Sequence, residues 1–172
     1  DYADERSTPA TADTTDARPE VEGGEVETPD DGTPVVQLQV QGLFPIVEPF
    51  LQSGWTTIYP DGTVLFPSRA NAAAQPQVWP YEVGHIGSER VTALLEQAAT
   101  SRLLESPWGA TYPPGGVVDA PTTTLILSTA NGSLTHQASG LGLGDDPIDG
   151  YRKALLSLVG AVNDLVMQDG AK

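Results

Sequence analysis

The chain of 172 residues contains no cysteine. A disulfide framework, a thiolate metal site and a cysteine nucleophile are therefore excluded as explanations of what it does. Basic residues are also scarce, with 8 lysines and arginines against 23 acidic residues and a formal net charge of −15. Because phosphate backbones and anionic lipid headgroups are themselves negative, we expect no nucleic-acid partner and no charge-driven docking to a membrane.

Long hydrophobic runs are absent as well. A membrane-spanning helix needs roughly 18 consecutive apolar residues. The nearest candidate, residues 154–167, is interrupted by Ser157, Gly160, Asn163 and Asp164. The sequence therefore predicts no transmembrane segment.

The first 34 residues differ in composition from the rest of the chain. They hold eleven acidic residues and two arginines, and they contain no Leu, Ile or Phe. Such a segment cannot bury enough apolar surface to offset the entropy lost on ordering. Residues 1–34 are predicted to be a disordered, acidic, Thr/Pro-rich tether, and residues 35–169 a single domain.

Export is expected from the start of the chain. The first residue is Asp1 and not methionine. Segments of this composition often follow a cleaved signal peptide or a lipidated cysteine. The protein is expected outside the cytoplasm. It is either secreted or attached to the cell envelope through a lipid anchor upstream of Asp1.

Two β-hairpins give the clearest local patterns. Residues 55–66 form β-prone runs on either side of Pro60-Asp61-Gly62, where proline fixes φ and glycine accepts a positive φ. The second hairpin joins residues 122–128 to 133–138 through Asn131-Gly132. A strand is predicted over residues 35–40, where apolar residues alternate with glutamines. Residues 67–87 are predicted to be mostly loop, and Pro80 limits an edge strand around 77–83.

Two amphipathic helices complete the pattern. The first is predicted to begin with Ser88 as its cap and to end near Pro107, with Val91, Leu94, Leu95 and Ala98 on one face. The second is predicted from about Ile148 to Met167. We therefore predict an α+β fold of order β-ββ-α-ββ-α, with an antiparallel sheet and both helices on one of its faces.

The two histidines and one aspartate are candidates for chemistry. His85 is predicted in a loop and His136 on a strand surface, and known zinc-ligand spacings are missing. Asp119 lies just before Pro121, where an Asx turn is the favoured interpretation. A hydrolase using His136 and Asp119 stays open as an alternative, because such sites are defined by geometry and not by order along the chain.

Aromatic residues cluster in the predicted loops. These residues are Trp55, Trp79, Tyr81, Trp108 and Tyr112. Two interpretations stay open. Together they can form a platform for a small ligand or glycan, or they can close the open end of the core.

Two further patterns resemble binding motifs but do not fit them. The acids Asp145, Asp146 and Asp149 lack the terminal glutamate of a calcium loop, and helix capping explains them. The alternating glycines of residues 140–144 lack the spacing of a dinucleotide loop, and two acids follow them. We predict no metal and no cofactor.

Three segments together resemble a family of uncharacterised secreted proteins and predicted lipoproteins from actinobacteria. The first is the strand-turn-strand of residues 55–66. The second is Asp119-Ala120-Pro121-Thr122-Thr123 after Tyr112-Pro113. The third is the Asn131-Gly132 hairpin with His136, which leads into the last helix. The resemblance implies export and envelope attachment, and it implies no catalytic residue.

The leading hypothesis is a non-enzymatic, exported cell-envelope protein that binds or scaffolds an unknown protein or envelope partner. Binding of a small ligand or carbohydrate through loop aromatics is one alternative, and a hydrolase is the other. No catalytic, cofactor or metal residue is assigned. The predicted ligand or partner surface consists of Trp79, Tyr81, Trp108, Tyr112, Asp119 and His136.

Overall fold

The structure, a computed structural model, describes residues 26–30, 32–42, 54–68, 80–105, 120–143 and 150–168. Its elements in chain order are β1 (Val36–Gln41), β2 (Thr56–Ile58), β3 (Thr63–Pro67), β4 (Tyr81–His85), α1 (Ser88–Thr100), β5 (Thr122–Thr129), β6 (Gly132–Ser139) and α2 (Gly150–Gln168). The predicted α+β class is confirmed. One strand, β4, adds to the predicted order.

The described strands form one antiparallel sheet in the order β4-β3-β2-β1-β5-β6. The first four strands follow one another as a meander. Helix α1 then carries the chain from β4, at one edge, to β5 on the far side of β1. The two central strands are therefore β2 and β1, and the two edge strands are β4 and β6.

Both predicted hairpins are confirmed, and the first turn has the expected chemistry. The amide of Gly62 donates to the carbonyl of Tyr59 at 3.0 Å, and Gly62 has a φ of 87°. Asp61 accepts a hydrogen bond from the amide of Thr63 at 2.9 Å. A type I turn followed by a left-handed glycine is a standard hairpin connection. The second turn lies one position earlier than predicted: Ala130 and Asn131 join the strands, and Gly132, with a φ of 124°, is the first residue of β6.

One face of the sheet carries the core and both helices. Paired residues on antiparallel strands point to the same face, so the register assigns each side chain to a face. The core face of the sheet consists of Val36, Leu38, Ile58, Val64, Phe66, Leu125, Leu127, His136 and Ala138. Helix α1 buries Val91, Leu94, Leu95 and Ala98, and α2 buries Leu155, Leu158, Val159, Val162 and Val166 against the same cluster.

Helix α1 begins differently from the prediction. Gly87 is the N-cap, with a φ of 80°, and Ser88 is the first helical residue without a side-chain capping bond. The prediction that Ser88 caps the helix was therefore wrong. The reason is that the chain leaves β4 in a left-handed conformation, which glycine adopts at little cost.

The end of α1 also lies earlier than predicted. The amide of Arg102 donates to the carbonyl of Ala99, and the amide of Leu103 donates to that of Ala98, both at 2.8 Å. These are the two bonds of a Schellman motif, with Arg102 in the left-handed position at a φ of 64°. The turn directs Leu103 into the core, where it is 0% exposed.

Described residues of the predicted tether contact the domain. Val26 packs against the core cluster, and the carbonyl of Glu27 accepts a hydrogen bond from the amide of Ala130 at 3.0 Å. The predicted disorder of residues 1–25 lies outside the described residues. No helix in the described part of the chain is long and apolar enough to cross a membrane.

Candidate functional site

His136 lies in the core and not on the strand surface. Its exposed fraction is 0%, and its Nε2 lies 2.8 Å from the carbonyl oxygen of Leu103. Leu125 is its neighbour on the adjacent strand. The predicted surface position of His136 was wrong, because β6 places this residue on the helix-covered face. It cannot contribute to a partner surface, and it ties β6 to the turn after α1.

Arg152 is a second polar anchor at the same edge of the sheet. It lies in the first turn of α2 and is 2% exposed, and its Nη2 donates to the carbonyl of Ser139 at 3.0 Å. Sequence reasoning missed Arg152, since an arginine beside Lys153 near the start of a helix resembles an exposed basic pair. Two buried cationic or polar side chains therefore fasten β6 to the rest of the domain.

Four of the predicted surface residues lie outside the described residues. They are Trp79, Trp108, Tyr112 and Asp119. The predicted pairing of Asp119 with His136 is therefore not described. The acids Asp145, Asp146 and Asp149 also lie outside. Within the described part of the chain, no group of three His, Asp or Glu residues could hold a metal ion.

Tyr81, the remaining predicted surface residue, lies on β4 and is 48% exposed. Its hydroxyl oxygen accepts a hydrogen bond from the amide of Trp55 at 2.9 Å. A Cβ added to Gly54 would lie 2.1 Å from Pro67 and 3.3 Å from the Tyr81 hydroxyl, so only glycine fits there. The ring of Tyr81 is thus fixed in place while much of its surface stays open to solvent.

His85 closes β4 and was predicted in a loop, which the structure corrects. Strand β4 extends to His85 because the amide of Ile86 still donates to the carbonyl of Gly62 at 2.9 Å. The side chain of His85 is exposed. Together with Tyr81 and Val83, it forms a row of three side chains on the face of the sheet opposite the helices. We call these three residues the β4 row.

The β4 row holds two of the most exposed large apolar side chains in the described structure. Val83 is 71% exposed and Tyr81 48% exposed. Edge strands of natural sheets are commonly protected by charged side chains, bulges or prolines. The β4 row carries no carboxylate, lysine or arginine, so this edge lacks the charged side chains that usually discourage pairing.

The hydrogen-bond pattern determines which backbone groups face outward from β4. The amide of Ser68 donates to the carbonyl of Pro80 at 2.8 Å, and Gly62 and Ile86 pair in the same way. In an antiparallel ladder, bonded and non-bonded pairs alternate. The even-numbered residues Glu82 and Gly84 therefore bond inward to β3. The odd-numbered residues of the β4 row direct their amides and carbonyls away from the sheet.

A glutamate holds β4 from the other face. The Ser68 hydroxyl donates to Oε1 of Glu82 in a short hydrogen bond, and Glu82 is half-buried. Its carboxylate therefore lies on the helix side of β4, away from the β4 row. The strand is anchored through Glu82 and through the Tyr81 hydroxyl, while its outer edge has no partner among the described strands.

The hairpin turn next to His85 carries an ionised carboxylate. Hydrogen bonds from the backbone and then the side chain of Thr63 lower the pKa of Asp61 below its ordinary value, and nearby His85 lowers it further. Asp61 also lines an open groove of about 540 Å³ with Thr28, Pro29, Asp30, Gly32, Tyr59, Pro60 and Thr63. The groove is acidic and lies near the C-terminal end of β4.

No protein-family model matches the chain, and no curated protein matches it at a significant level. Within the described part of the chain, the outer edge of β4 is the feature with the clearest capacity for binding.

Proposed function

We propose that this chain is an exported cell-envelope protein whose folded part is a binding or scaffolding domain, and that β4 is the strand through which it binds another polypeptide. The acidic composition of residues 1–25, which contain no Leu, Ile or Phe, supports a role as a tether. The resemblance to secreted proteins and predicted lipoproteins supports a position outside the cytoplasm, with attachment to the envelope.

The observation that carries the proposal is the open edge of β4. Its three odd-numbered residues direct outward amides and carbonyls that no described strand pairs with, and two of them expose large apolar side chains. An extended segment that joins such an edge gains main-chain hydrogen bonds, and neighbouring side chains provide specificity. This mode of recognition needs no pocket, metal or cofactor.

The burial of His136 favours a binding role for the domain over a catalytic role. A general base must reach the proton it removes. His136 is enclosed in the core and already contacts the Leu103 carbonyl through Nε2. A substrate would reach it only if the packing around β6 opened.

The binding role is tested by photo-crosslinking in the native host. A photoreactive amino acid replaces Val83 on β4, and a matched variant carries it at Gln137, an exposed residue of the other edge strand β6. We expect a discrete adduct at position 83 whose partner is identified by mass spectrometry, and little or none at position 137. Equal labelling at the two positions, or no adduct at either, would contradict the proposal.

The location is tested separately by fractionating the same cells. The chain should be found in the envelope fraction or outside the cell. Protease added to intact cells should degrade the chain when no outer layer keeps the protease away from it. Recovery of the full chain in the cytoplasmic fraction, protected from the protease, would contradict the location without bearing on β4.

A further inference from the structure

We infer that the strand received by β4 is the β4 strand of a second copy, so that two chains join their sheets across a twofold axis at Val83. This inference rests on the proposed binding role of β4, and it names the partner. The twofold arrangement follows from the length and hydrogen-bond pattern of the strand.

The outward backbone groups of β4 are self-complementary. Strand β4 has five residues, so its centre is a residue, Val83, and not a bond. If two copies run antiparallel about that centre, Val83 pairs with its own counterpart, and Tyr81 pairs with His85 of the other copy. These are the residues whose amides and carbonyls point outward, so the pairing forms about six hydrogen bonds between chains.

The length of β4 is limited at both of its ends. Pro80, which precedes it, has no amide to donate. Ile86, which follows it, donates its amide inward to Gly62, and Gly87 turns away with a φ of 80°. No other centre of symmetry pairs all of the outward groups.

The side chains fit the same register. The two Val83 side chains meet at the axis, where their exposed apolar surface becomes buried. Tyr81 lies beside His85 of the other copy, which places two aromatic rings next to each other. Cross-strand aromatic and β-branched pairs are among the favourable pairs in sheets.

Charge favours this surface for self-association. A chain of net charge −15 repels a copy of itself over most of its surface. The β4 row has no carboxylate, and Glu82 points to the other face, where it meets Gly84 of the second copy. No carboxylate is therefore opposed to a carboxylate at the axis. Charges farther than about 8 Å apart are largely screened at physiological salt.

The contact is small, which determines how it should be measured. Five residues from each chain bury less than the roughly 1,200 Å² of a stable complex, so the dimer should be weak and dependent on concentration. In sedimentation at increasing concentration, the average mass should rise from 18.0 kDa toward twice that value. Raising the salt should strengthen the dimer several-fold, roughly as expected for screened repulsion between acidic chains.

Two substitutions at Val83 test the hydrogen bonds. Val83→Pro removes an outward amide and no bond to β3, so the dimer should be lost while the fold persists. The matched control Val83→Thr retains both the amide and the β propensity, and it should still associate. A Val83→Pro protein that dimerises like the unchanged chain would overturn the inference.

A disulfide trap tests the register without a proline. The chain has no cysteine, so a single introduced thiol can react only with its own copy. Residues in a hydrogen-bonded antiparallel pair have Cα atoms about 5.5 Å apart, which suits a disulfide. Val83→Cys should therefore oxidise to a covalent dimer at least tenfold faster than His85→Cys. His85 lies about 13 Å along the strand from its counterpart in this register.

The outcomes separate this inference from the proposed function. If the unchanged chain sediments as a monomer at all concentrations and the two cysteine variants oxidise equally slowly, β4 does not pair with itself. A crosslink from position 83 to a different protein in the host would then leave the binding role intact. If no crosslink forms at position 83, both the binding role of β4 and its pairing with a second copy are contradicted.

Discussion

The two edge strands of the sheet are built in opposite ways. Strand β6 is fastened from the side by polar side chains, since His136 contacts the Leu103 carbonyl and Arg152 binds the Ser139 carbonyl. Strand β4 buries no side chain fully, and its residues alternate between exposed and half-buried. One edge is therefore part of the core, whereas the other is a surface.

This difference has a physical consequence. A buried polar side chain that loses its partner leaves a desolvated group behind, so β6 cannot loosen without a large penalty. Strand β4 can gain a partner on its outer side without breaking any bond to β3, because its outward groups take no part in that ladder. The edge that can bind is the one that contributes least to the core.

The largest effect is expected from loosening β6. His136→Ala removes a fully buried ring and leaves the Leu103 carbonyl without this contact. The free energy of unfolding should fall by about 3 kcal/mol, from the cavity and the lost hydrogen bond together. Urea unfolding measures this loss. Gln137→Ala, at an exposed position on the same strand, is the control and should change stability by less than about 0.5 kcal/mol. Equal losses would contradict the structural role of His136.

The next effect tests the alternation of backbone groups along β4. Gly84→Pro removes an amide that bonds to β3 and should cost about 2 kcal/mol, whereas Val83→Pro removes an outward amide and should cost about 1 kcal/mol or less. Urea unfolding of the two variants at a concentration where the chain is monomeric gives the comparison. If Val83→Pro is the more damaging change, the assignment of outward groups is wrong.

A smaller effect, with the opposite sign, concerns the turn that carries Leu103 to His136. Arg102 occupies a left-handed position with a φ of 64°, where glycine avoids a steric cost. Arg102→Gly should stabilise the fold by roughly 0.5–1 kcal/mol, since the exposed ion pair with Glu105 that it removes is worth little. Thermal unfolding of Arg102→Gly should show a higher midpoint temperature. Arg102→Ala keeps the backbone strain and loses the ion pair, so its midpoint temperature should not rise.

The smallest effect lies at the turn beside His85. Hydrogen bonds from Thr63 lower the pKa of Asp61, so its contribution to stability is present above its ordinary pKa and is lost as the pH falls through the lowered value. The stability difference between the unchanged chain and Asp61→Asn should therefore shrink as the pH is lowered from about 5 to about 2. Asp164→Asn, an exposed change on α2, is the control. A difference that grows with acid would contradict the hydrogen-bonding pattern.

The sequence predicted the parts of the fold that local chemistry determines. Pro60-Asp61-Gly62 and the segment around Asn131 and Gly132 form hairpins because turn conformations depend on the residues in and beside the turn, although the second loop begins one residue earlier than predicted. The alternation over residues 35–40 and the helical period from Val91 to Ala98 likewise report which side of an element is buried. These patterns are enough for the α+β class and for helices on one face.

The open edge and the buried anchors could not be predicted in the same way. Strand β4 has no apolar residue on its half-buried face, where Glu82 and Gly84 lie, so its sequence does not mark a core side, and Pro80 argues against a strand. The burial of His136 depends on a carbonyl 33 positions away in the chain, at a turn whose left-handed residue is an arginine. Neither arrangement leaves a pattern within a short window of sequence.

Amide hydrogen exchange resolved by residue tests the role of β4 most directly. In dilute solution, the amides of Glu82 and Gly84 should be protected, and those of Tyr81, Val83 and His85 should exchange freely. At high concentration, the three odd-numbered amides should become protected as the second strand joins. Protection of Val83 equal to that of Gly84 in dilute solution would mean that the edge is already covered. Free exchange of Val83 at every concentration would mean that no second copy pairs with it.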